Sequence, residues 1–437
     1  MALLWHYVNA YGSRRSILLK ELLLRTDLPV YIVNDAIPDF VAFCRERGLG
    51  RFFLVADTNT YPALGARAEA ALRDQGWDVR TAILEGEDVI ADAYYMQKTL
   101  LATDATSRTY VAVGSGTITD IARFLSHRSA QKFISLPTAA SVDGFTSIGA
   151  PIVVDGAKIT LLTHGPLAVF ADLPTLCAEP RAMIAAGFGD LIAKLTSVAD
   201  WELGHLLWGE PYDAIIAKRS RDAAWAAVNR LDSLANAECD GVQTLMEGLI
   251  ESGFCMLDFG ETRPASGAEH HISHMWEMML LREGRHSVLH GAKVGVAVII
   301  SAQRYDALKA LSRAEAEARL ARAVLPDRDA EIANIRLGFP HMVDELAGIQ
   351  APFLDMSQAD FAALKAAILE NWAAIQLIAA TVPSAAEVTT WLHRIGGPTT
   401  APEVSLSDAE YDLGKRYGHY YRNRFSNAKL SRMLGIA

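Results

Sequence analysis

Along the first 170 residues two hydrophobic periods alternate. Short β-branched or aromatic runs, VYIV (30–33), FFLVAD (52–57), WDVRTAIL (77–84), TYVAVGSG (109–116) and KFISLPT (132–138), are separated by stretches at helical spacing. These include DFVAFCRERG, ALGARAEAALRDQG, residues 94–101 and a helix opening at Thr117. Apolar strands separated by helices predict βαβ units and a mostly parallel sheet with helices on both faces. Such sheets bind ligands beyond the carboxyl ends of their strands. From about Leu173 the alternation stops, and helical pattern fills 181–208, 211–234, 241–257, 269–281, 292–309, 314–324 and 361–381. The Ala-rich FAALKAAILENWAAIQLIAA reads as a packed bundle helix. The Pro-containing stretch DLPTLCAEP (172–180) is the boundary. An α/β nucleotide-binding domain over 1–172 and an all-helical domain over 173–437 are expected, with a cleft between them.

Composition narrows the class. Of 437 residues, 51% are apolar and 21% charged, which excludes disorder and fibrous architecture for the body of the chain. The net charge of −10 argues against a broad nucleic-acid or membrane surface and leaves room for one local basic pocket. Cys44, Cys177, Cys239 and Cys255 are scattered without CxxC spacing, which predicts free thiols in a reducing cytoplasm. The opening MALLWHYVNAYGSRR lacks the layout of a signal peptide. Apolar runs such as 294–302 fall short of the roughly 20 residues that span a bilayer. A soluble cytoplasmic protein is expected.

Three places depart from what packing alone asks for. In VAVGSGTITD, an apolar strand meets Gly114 and Gly116 and then a helix start at Thr117, Ile118, Thr119 and Asp120. Glycines let a backbone approach a phosphate at a positive helix end, although an ordinary strand-to-helix turn has the same look. PTAASVDGFTS follows another strand and holds Thr138, Ser141, Asp143, Thr146 and Ser147, suited to a nicotinamide, ribose or polyol, or to a solvated turn. The third place is the strongest. Five of twelve histidines, His270, His271, His274, His286 and His290, lie within 21 residues, where even scattering would put fewer than one. His270 and His274 share a helix face, and His290 precedes Gly291. Two imidazoles from neighbouring helices need a carboxylate to complete a divalent-metal site open to substrate. Asp190 in AAGFGDLIAK supplies it, because a charge in an apolar helix is expensive unless paired or metal-bound. Asp57, ending FFLVAD, can accept a ribose hydroxyl or cap the next helix. Arg263 can clamp an anion or form a surface salt bridge.

With GSGTITD, PTAASVDGFTS, GFGD, RPASGAEHHISH and LHGAKVG in this order, the chain resembles the glycerol-1-phosphate dehydrogenases. These belong to the superfamily of iron-containing alcohol dehydrogenase, glycerol dehydrogenase and dehydroquinate synthase. The resemblance covers nearly the whole chain, and the closing YGHYYRNRFSNAKLSRMLGI looks like the bacterial branch. It implies a Rossmann-like NAD(P)-binding domain followed by a helical metal-binding domain, the dehydroquinate synthase-like fold. It also implies Asp190, His270 and His290 as ligands of one divalent metal, zinc or nickel, with Asp190 and His274 in catalysis. His274, Asp143 and Arg263 would contact substrate, and His271 would be incidental. Asp57, the Gly114–Asp120 turn, Thr138, Ser141 and Ser147 would hold NAD or NADP.

The expected reaction is reversible NAD(P)H-dependent reduction of dihydroxyacetone phosphate to sn-glycerol 1-phosphate. The metal would act as Lewis acid, with hydride coming from the nicotinamide. A glycerol or polyol dehydrogenase, or a dehydroquinate synthase-like lyase, are the alternatives. Asp at 190 and the absence of a recognisable lyase Lys/Arg set argue against the lyase. The expected partner is a small molecule, with no nucleic acid and no membrane, and analogy with relatives suggests a homo-oligomer.

Overall fold

Fully buried apolar runs become the inner strands of one sheet, and the computed structural model describes it within residues 28–154, 157–286 and 288–436. The opening stretch read above for a leader, and the first residues assigned to domain 1–172, lie outside these. Strands β1 (Val30–Val33), β2 (Arg51–Asp57), β3 (Asp78–Leu84), β4 (Thr109–Val113) and β5 (Phe133–Leu136) match the five expected ones. Helices α1 (Ala36–Glu46), α2 (Ala66–Asp74), α3 (Ala93–Ala102) and α4 (Gly116–Arg128) connect them. Burial explains the roles. All five residues of β4 are buried in mid-sheet, whereas β3 alternates buried and exposed residues at the edge.

Two β features were not expected. A hairpin, β6 (Gly149–Val154) and β7 (Ala157–Leu162), pairs antiparallel outside the main sheet. Strand β8 (Val169–Asp172) inserts between β1 and β5, giving the all-parallel order β1-β8-β5-β4-β2-β3. β8 is as short and as apolar as β1, so the same signal was present in the sequence and was passed over.

From Leu173 the described chain is helical: α5 (Leu173–Cys177), α6 (Arg181–Ile192), α7 (Lys194–Trp208), α8 (Ala214–Val228), α9 (Leu231–Ala235), α10 (Cys239–Phe259), α11 (Ala268–Arg282) and α12 (His290–Ala310), then shorter helices to Leu434. The expected helix over 181–208 breaks at Ala193, and that over 361–381 breaks at Asn371, whose side chain bonds the Ala367 carbonyl. Arg181–Trp208 is long and apolar enough for a membrane span by composition, but 89% of its apolar window is buried inside the protein. The halves share a core: Val30, Ile32, Val169 and Ala171 of the sheet pack with Leu191, Leu249, Val294 and Val298 of the helices.

The cysteine expectation is corrected. Cys177 at the end of α5 and Cys239 at the start of α10 form a disulfide, while Cys44 and Cys255 are free and buried. Their Cα atoms stand 5.4 Å apart, within bridging range, although 62 residues separate them in sequence. The inference from free thiols to a reducing compartment therefore lapses.

Helices α6 and α12 meet backbone to backbone. A Cβ on Gly189 would lie 2.3 Å from the Gly291 carbonyl oxygen, and one on Gly291 would lie 1.8 Å from that of Ala186. Gly291→Ala should therefore force the helices apart and cost about 3 kcal/mol. Gly348→Ala, on an exposed helix with nothing near its Cβ, should instead stabilise by about 0.5–1 kcal/mol. Urea unfolding of the two variants checks this, and an unchanged midpoint for Gly291→Ala would refute the close crossing.

Candidate active site

The glycine crossing sets Asp190 on α6 beside His290 at the start of α12, and α11 brings His270 to the same point. One donor atom from each of these three side chains lies within 4.8 Å of the others. Asp190 is fully buried and its oxygens are all engaged. Oδ1 receives Lys194 Nζ at 3.1 Å and lies 3.4 Å from His270 Nε2, while Oδ2 accepts the Asp143 N–H at 3.0 Å. Behind His270, Nδ1 lies 2.9 Å from Glu269 Oε1. Glu269 itself is held by the Gly267 N–H at 2.6 Å and the Thr196 hydroxyl at 2.9 Å. A carboxylate behind one imidazole nitrogen fixes the ring and leaves the other facing the site, the arrangement common behind metal-bound histidines. His290 Nδ1 is buried and has no partner among the described residues.

Electrostatics sharpen this. Burial pushes the Asp190 carboxyl up, but Lys194, His270 and His290 together hold it well below the usual carboxylate range. Burial drives His290 well below the ordinary imidazole value. An ionised carboxylate, a clamped imidazole and an imidazole nitrogen with no partner form a donor set that suits a borderline divalent cation. A second trio, His274, Glu277 and His290, is equally close. Its carboxylate, however, is bonded by Lys158 Nζ at 2.9 and 3.0 Å, and Lys293 Nζ stands 4.0 Å away. An ammonium group thus bonds both oxygens of Glu277, whereas only one oxygen of Asp190 meets one, so the Asp190 set is the better cation site.

His274 stacks on His290 with ring centres 5.4 Å apart, and its Nδ1 is 3.6 Å from Glu277 Oε2, too far for a hydrogen bond. Burial pushes it down to about 4, so the ring is neutral at pH 7. His271 is buried with both ring nitrogens unpartnered among the described residues, and His286 is exposed in the loop before α12.

On the sheet side, α4 begins at Gly116 without a side-chain cap, because the Ser115 hydroxyl bonds that of Ser141 instead. A Cβ on Gly114 would strike Ile118 at 2.7 Å, so Gly114 lets the first turn fold back over the strand end. Thr138 is buried, Thr119 is buried with a hydroxyl unpartnered among the described residues, and Ser147 bonds back to the carbonyls of Gly144 and Gly149. Asp120 is tied to Arg123 at 2.9 Å, and burial pushes its carboxyl up to about 7. Asp57 Oδ1 accepts the N–H groups of Asn59 and Thr60, both at 2.8 Å, so it caps the turn after β2. Asp143 reaches across the halves: its Oδ2 meets Lys194 Nζ and the Ser252 hydroxyl, each at 2.8 Å. Arg263 forms the salt-bridge alternative. Its Nε is 3.0 Å from Glu210 and its NH1 meets Glu261, so no free clamp is presented there.

Sequence reasoning passed over Lys194, Glu269, Glu277, Lys158 and Arg123. The first was findable, since Lys194 lies one turn after Asp190 on an apolar helix. Arg123 was not, because its fully buried guanidinium bonds the carbonyls of Gly144, Phe145 and Gly149 and so shapes the hydroxyl-rich loop from another element. A cavity of about 520 Å³ lies elsewhere, among C-terminal helices near Phe353, Leu364 and Lys429, and holds none of the candidate residues.

Comparison with known proteins gives a consistent picture. The sequence model of the family described as iron-containing alcohol dehydrogenase matches residues 31–180. A glycerol-1-phosphate dehydrogenase (NAD(P)+) of Geobacillus stearothermophilus is 35% identical over 411 residues, 92% of each chain. One from Bacillus subtilis is 43% identical over 277 residues, 63% of this chain and 70% of its own. A crystal structure of a probable glycerol dehydrogenase from Sinorhizobium meliloti superposes with TM-score 0.59 at 16% identity, covering 93% of this chain and 96% of the other; it shares the fold.

Glu179 gives a pH test of the loop over the site. Its carboxylate accepts the Ala140 N–H at 3.0 Å, and burial pushes it up to about 8 from an ordinary 4.5. Between these values the folded protein holds a proton that the unfolded chain releases, so this group makes stability fall as pH rises from about 4.5 to 8. The melting temperature of Glu179→Gln minus that of the wild type should therefore rise from pH 5 to pH 8. A pH-independent difference would contradict the buried, proton-holding carboxyl.

Proposed function

The chain belongs to the glycerol-1-phosphate dehydrogenase family, and on that premise we propose how its residues share the NAD(P)H-dependent reduction of dihydroxyacetone phosphate to sn-glycerol 1-phosphate. It is an oxidoreductase acting on a CH–OH group. The observation that carries the reading is the Asp190–His270–His290 set, which faces the loop after β5 through Lys194 and Asp143. In this division, residues 1–172 form the nucleotide-binding unit and 173–437 the metal- and substrate-binding unit.

Asp190, His270 and His290 would hold one divalent ion, which when bound supplies Lewis-acid polarisation of the substrate carbonyl. Glu269 keeps the His270 ring turned toward the site. Lys194, wholly buried, balances Asp190 and Asp143, and Asp143 is the residue set to orient the substrate hydroxyl. With Nδ1 turned toward Glu277, His274 has Nε2 left to hydrogen-bond the substrate. A neutral ring with a depressed pKa cannot store a proton at pH 7 but can pass one from water to the new alcohol. For the nucleotide, the uncapped start of α4 at Gly116, Thr117 and Ile118 offers N–H groups to phosphate. Thr138, Ser141 and Ser147 stand in the adjoining loop, and Asp57 retains one oxygen for a ribose hydroxyl. The finer parts of the proposal are zinc or nickel as the ion, a homo-oligomer as the assembly and the cytoplasm as the setting.

The test follows absorbance at 340 nm with metal-reconstituted protein, NADH or NADPH, and either dihydroxyacetone phosphate or unphosphorylated dihydroxyacetone. The expected result is a strong preference for the phosphate ester, giving a product that an enzyme specific for sn-glycerol 3-phosphate rejects. A comparable rate with the free ketone would move the chain to the polyol dehydrogenases. The absence of nicotinamide turnover would favour the lyase.

A further inference from the structure

The cavity of about 520 Å³ among the C-terminal helices has apolar walls and a basic lining. Phe353, Phe361, Leu364, Phe425 and Leu434 form much of the wall. Trp208 backs two of these, stacking on Phe353 and Phe425 with ring centres 4.4 and 6.0 Å away. Volumes of about 300–1,000 Å³, with mostly apolar walls and a few placed polar groups, are usual for a small-molecule pocket. Glu331 is the single carboxylate among the described lining residues, against Arg319, Arg322, Lys429 and Arg432.

Three of these cations are accounted for. Glu331 grips Arg432 with both oxygens, at 2.7 and 3.0 Å. Arg319 donates to the carbonyls of Leu434 and Gly435, and Arg322 is exposed to water. Lys429 is different. Its Nζ lies 3.8 Å from the centre of the Phe353 ring and donates to Gln350 Oε1 at 2.8 Å. No carboxylate stands within ion-pair distance of it among the described residues. The two carboxylates whose fields reach it are both engaged, Glu331 by Arg432 and Glu210 by Arg263 and the Phe425 N–H.

The ammonium group is therefore poorly compensated. Burial pushes it down to about 7, and Arg432, one turn later on the helix Asn427–Leu434, adds to the fall. Support of Gln350 does not explain a cation. That amide already donates to the carbonyls of Tyr420 and Arg422, and its oxygen needs a donor rather than a charge. Of the three ammonium donors, two have no partner among the described residues. A charge in apolar surroundings is a cost that an arriving anion would offset.

We propose that this cavity binds an organic anion with a hydrocarbon tail, of the class of a medium-chain fatty acid. Its carboxylate meets Lys429, and its chain lies against the phenylalanine and leucine walls. The site is separate from the Asp190–His270–His290 set, and the assignment does not depend on the reaction proposed above.

The experiment titrates full-length, metal-reconstituted protein by calorimetry with hexanoate, octanoate, octanol and inorganic phosphate. Octanoate should bind saturably, once per chain, and about tenfold more tightly than hexanoate, as two further buried methylenes require. Octanol and phosphate, each with half of the chemistry, should bind about tenfold or more weakly than octanoate. Lys429→Met keeps the stem and removes the charge, so it should lose about 30-fold in octanoate affinity and keep its affinity for octanol. Lys429→Arg should retain most of the octanoate affinity. The wild-type series and Lys429→Arg decide the matter even where melting shows Lys429→Met unfolded. A wild type without saturable octanoate binding overturns the assignment. So does a folded Lys429→Met protein that binds octanoate as the wild type does. Phosphate binding as tight as that of octanoate also overturns it, since the site would then serve small anions alone.

Discussion

The approach of Asp190 to His290, two of the three proposed ligands, depends on the bare-backbone crossing of α6 and α12, where Gly189 and Gly291 touch and no side chain fits between them. Asp190 follows the first of these glycines and His290 precedes the second, so the contact that removes space also brings the two donor side chains together. Gly187 extends the constraint, because a Cβ there would lie 1.7 Å from the Ala140 carbonyl oxygen, which seats α6 on the loop after β5. Glycine in a helix interior costs up to about 1 kcal/mol each. That cost is offset by a core in which Leu191, Leu249 and Val294 pack around the crossing.

Charge completes what packing begins. Lys194 is wholly buried between Asp190 of the helical half and Asp143 of the sheet-side loop, at 3.1 and 2.8 Å. Removing it would leave two carboxylates facing each other out of water, so it joins the halves electrostatically as the shared core joins them by packing. Glu269 does for His270 what Lys194 does for Asp190. It lies outside the site, touches nothing that would be bound there, and fixes which atom faces inward.

Four strands were legible as short apolar runs followed by helical spacing, and β3 by its alternation. β8, as short and apolar as β1 and likewise followed by a helix, carried the same signal and was passed over, as was the hairpin, despite an Asp-Gly pair at 155–156 in the sequence between IVV and KITLL. The three side chains that the structure brings together, Asp190, His270 and His290, were legible because five histidines crowd one stretch and because Asp190 interrupts an apolar helix. The same physical argument covers Lys194, four residues later on that helix. Lys158 could not be found from sequence, since its partner Glu277 lies 119 residues away on another element. Arg263 could be read as a clamp or a salt bridge, and only the positions of Glu210 and Glu261 decide between them. The Cys177–Cys239 pairing was hidden for the same reason, because it depends on where α5 ends against α10.

The central claim is that the crossing assembles one divalent-metal site from Asp190, His270 and His290. Metal analysis after dialysis, with zinc and nickel titrated back by calorimetry, tests it most directly on wild type and Asp190→Asn, whose folding is checked by melting. The account predicts one tightly held ion per wild-type chain. It predicts an affinity loss in the variant exceeding the roughly 10–100-fold that removal of an outer-shell partner causes. An Asp190→Asn protein that stays folded and keeps a full equivalent of metal at wild-type affinity would contradict it.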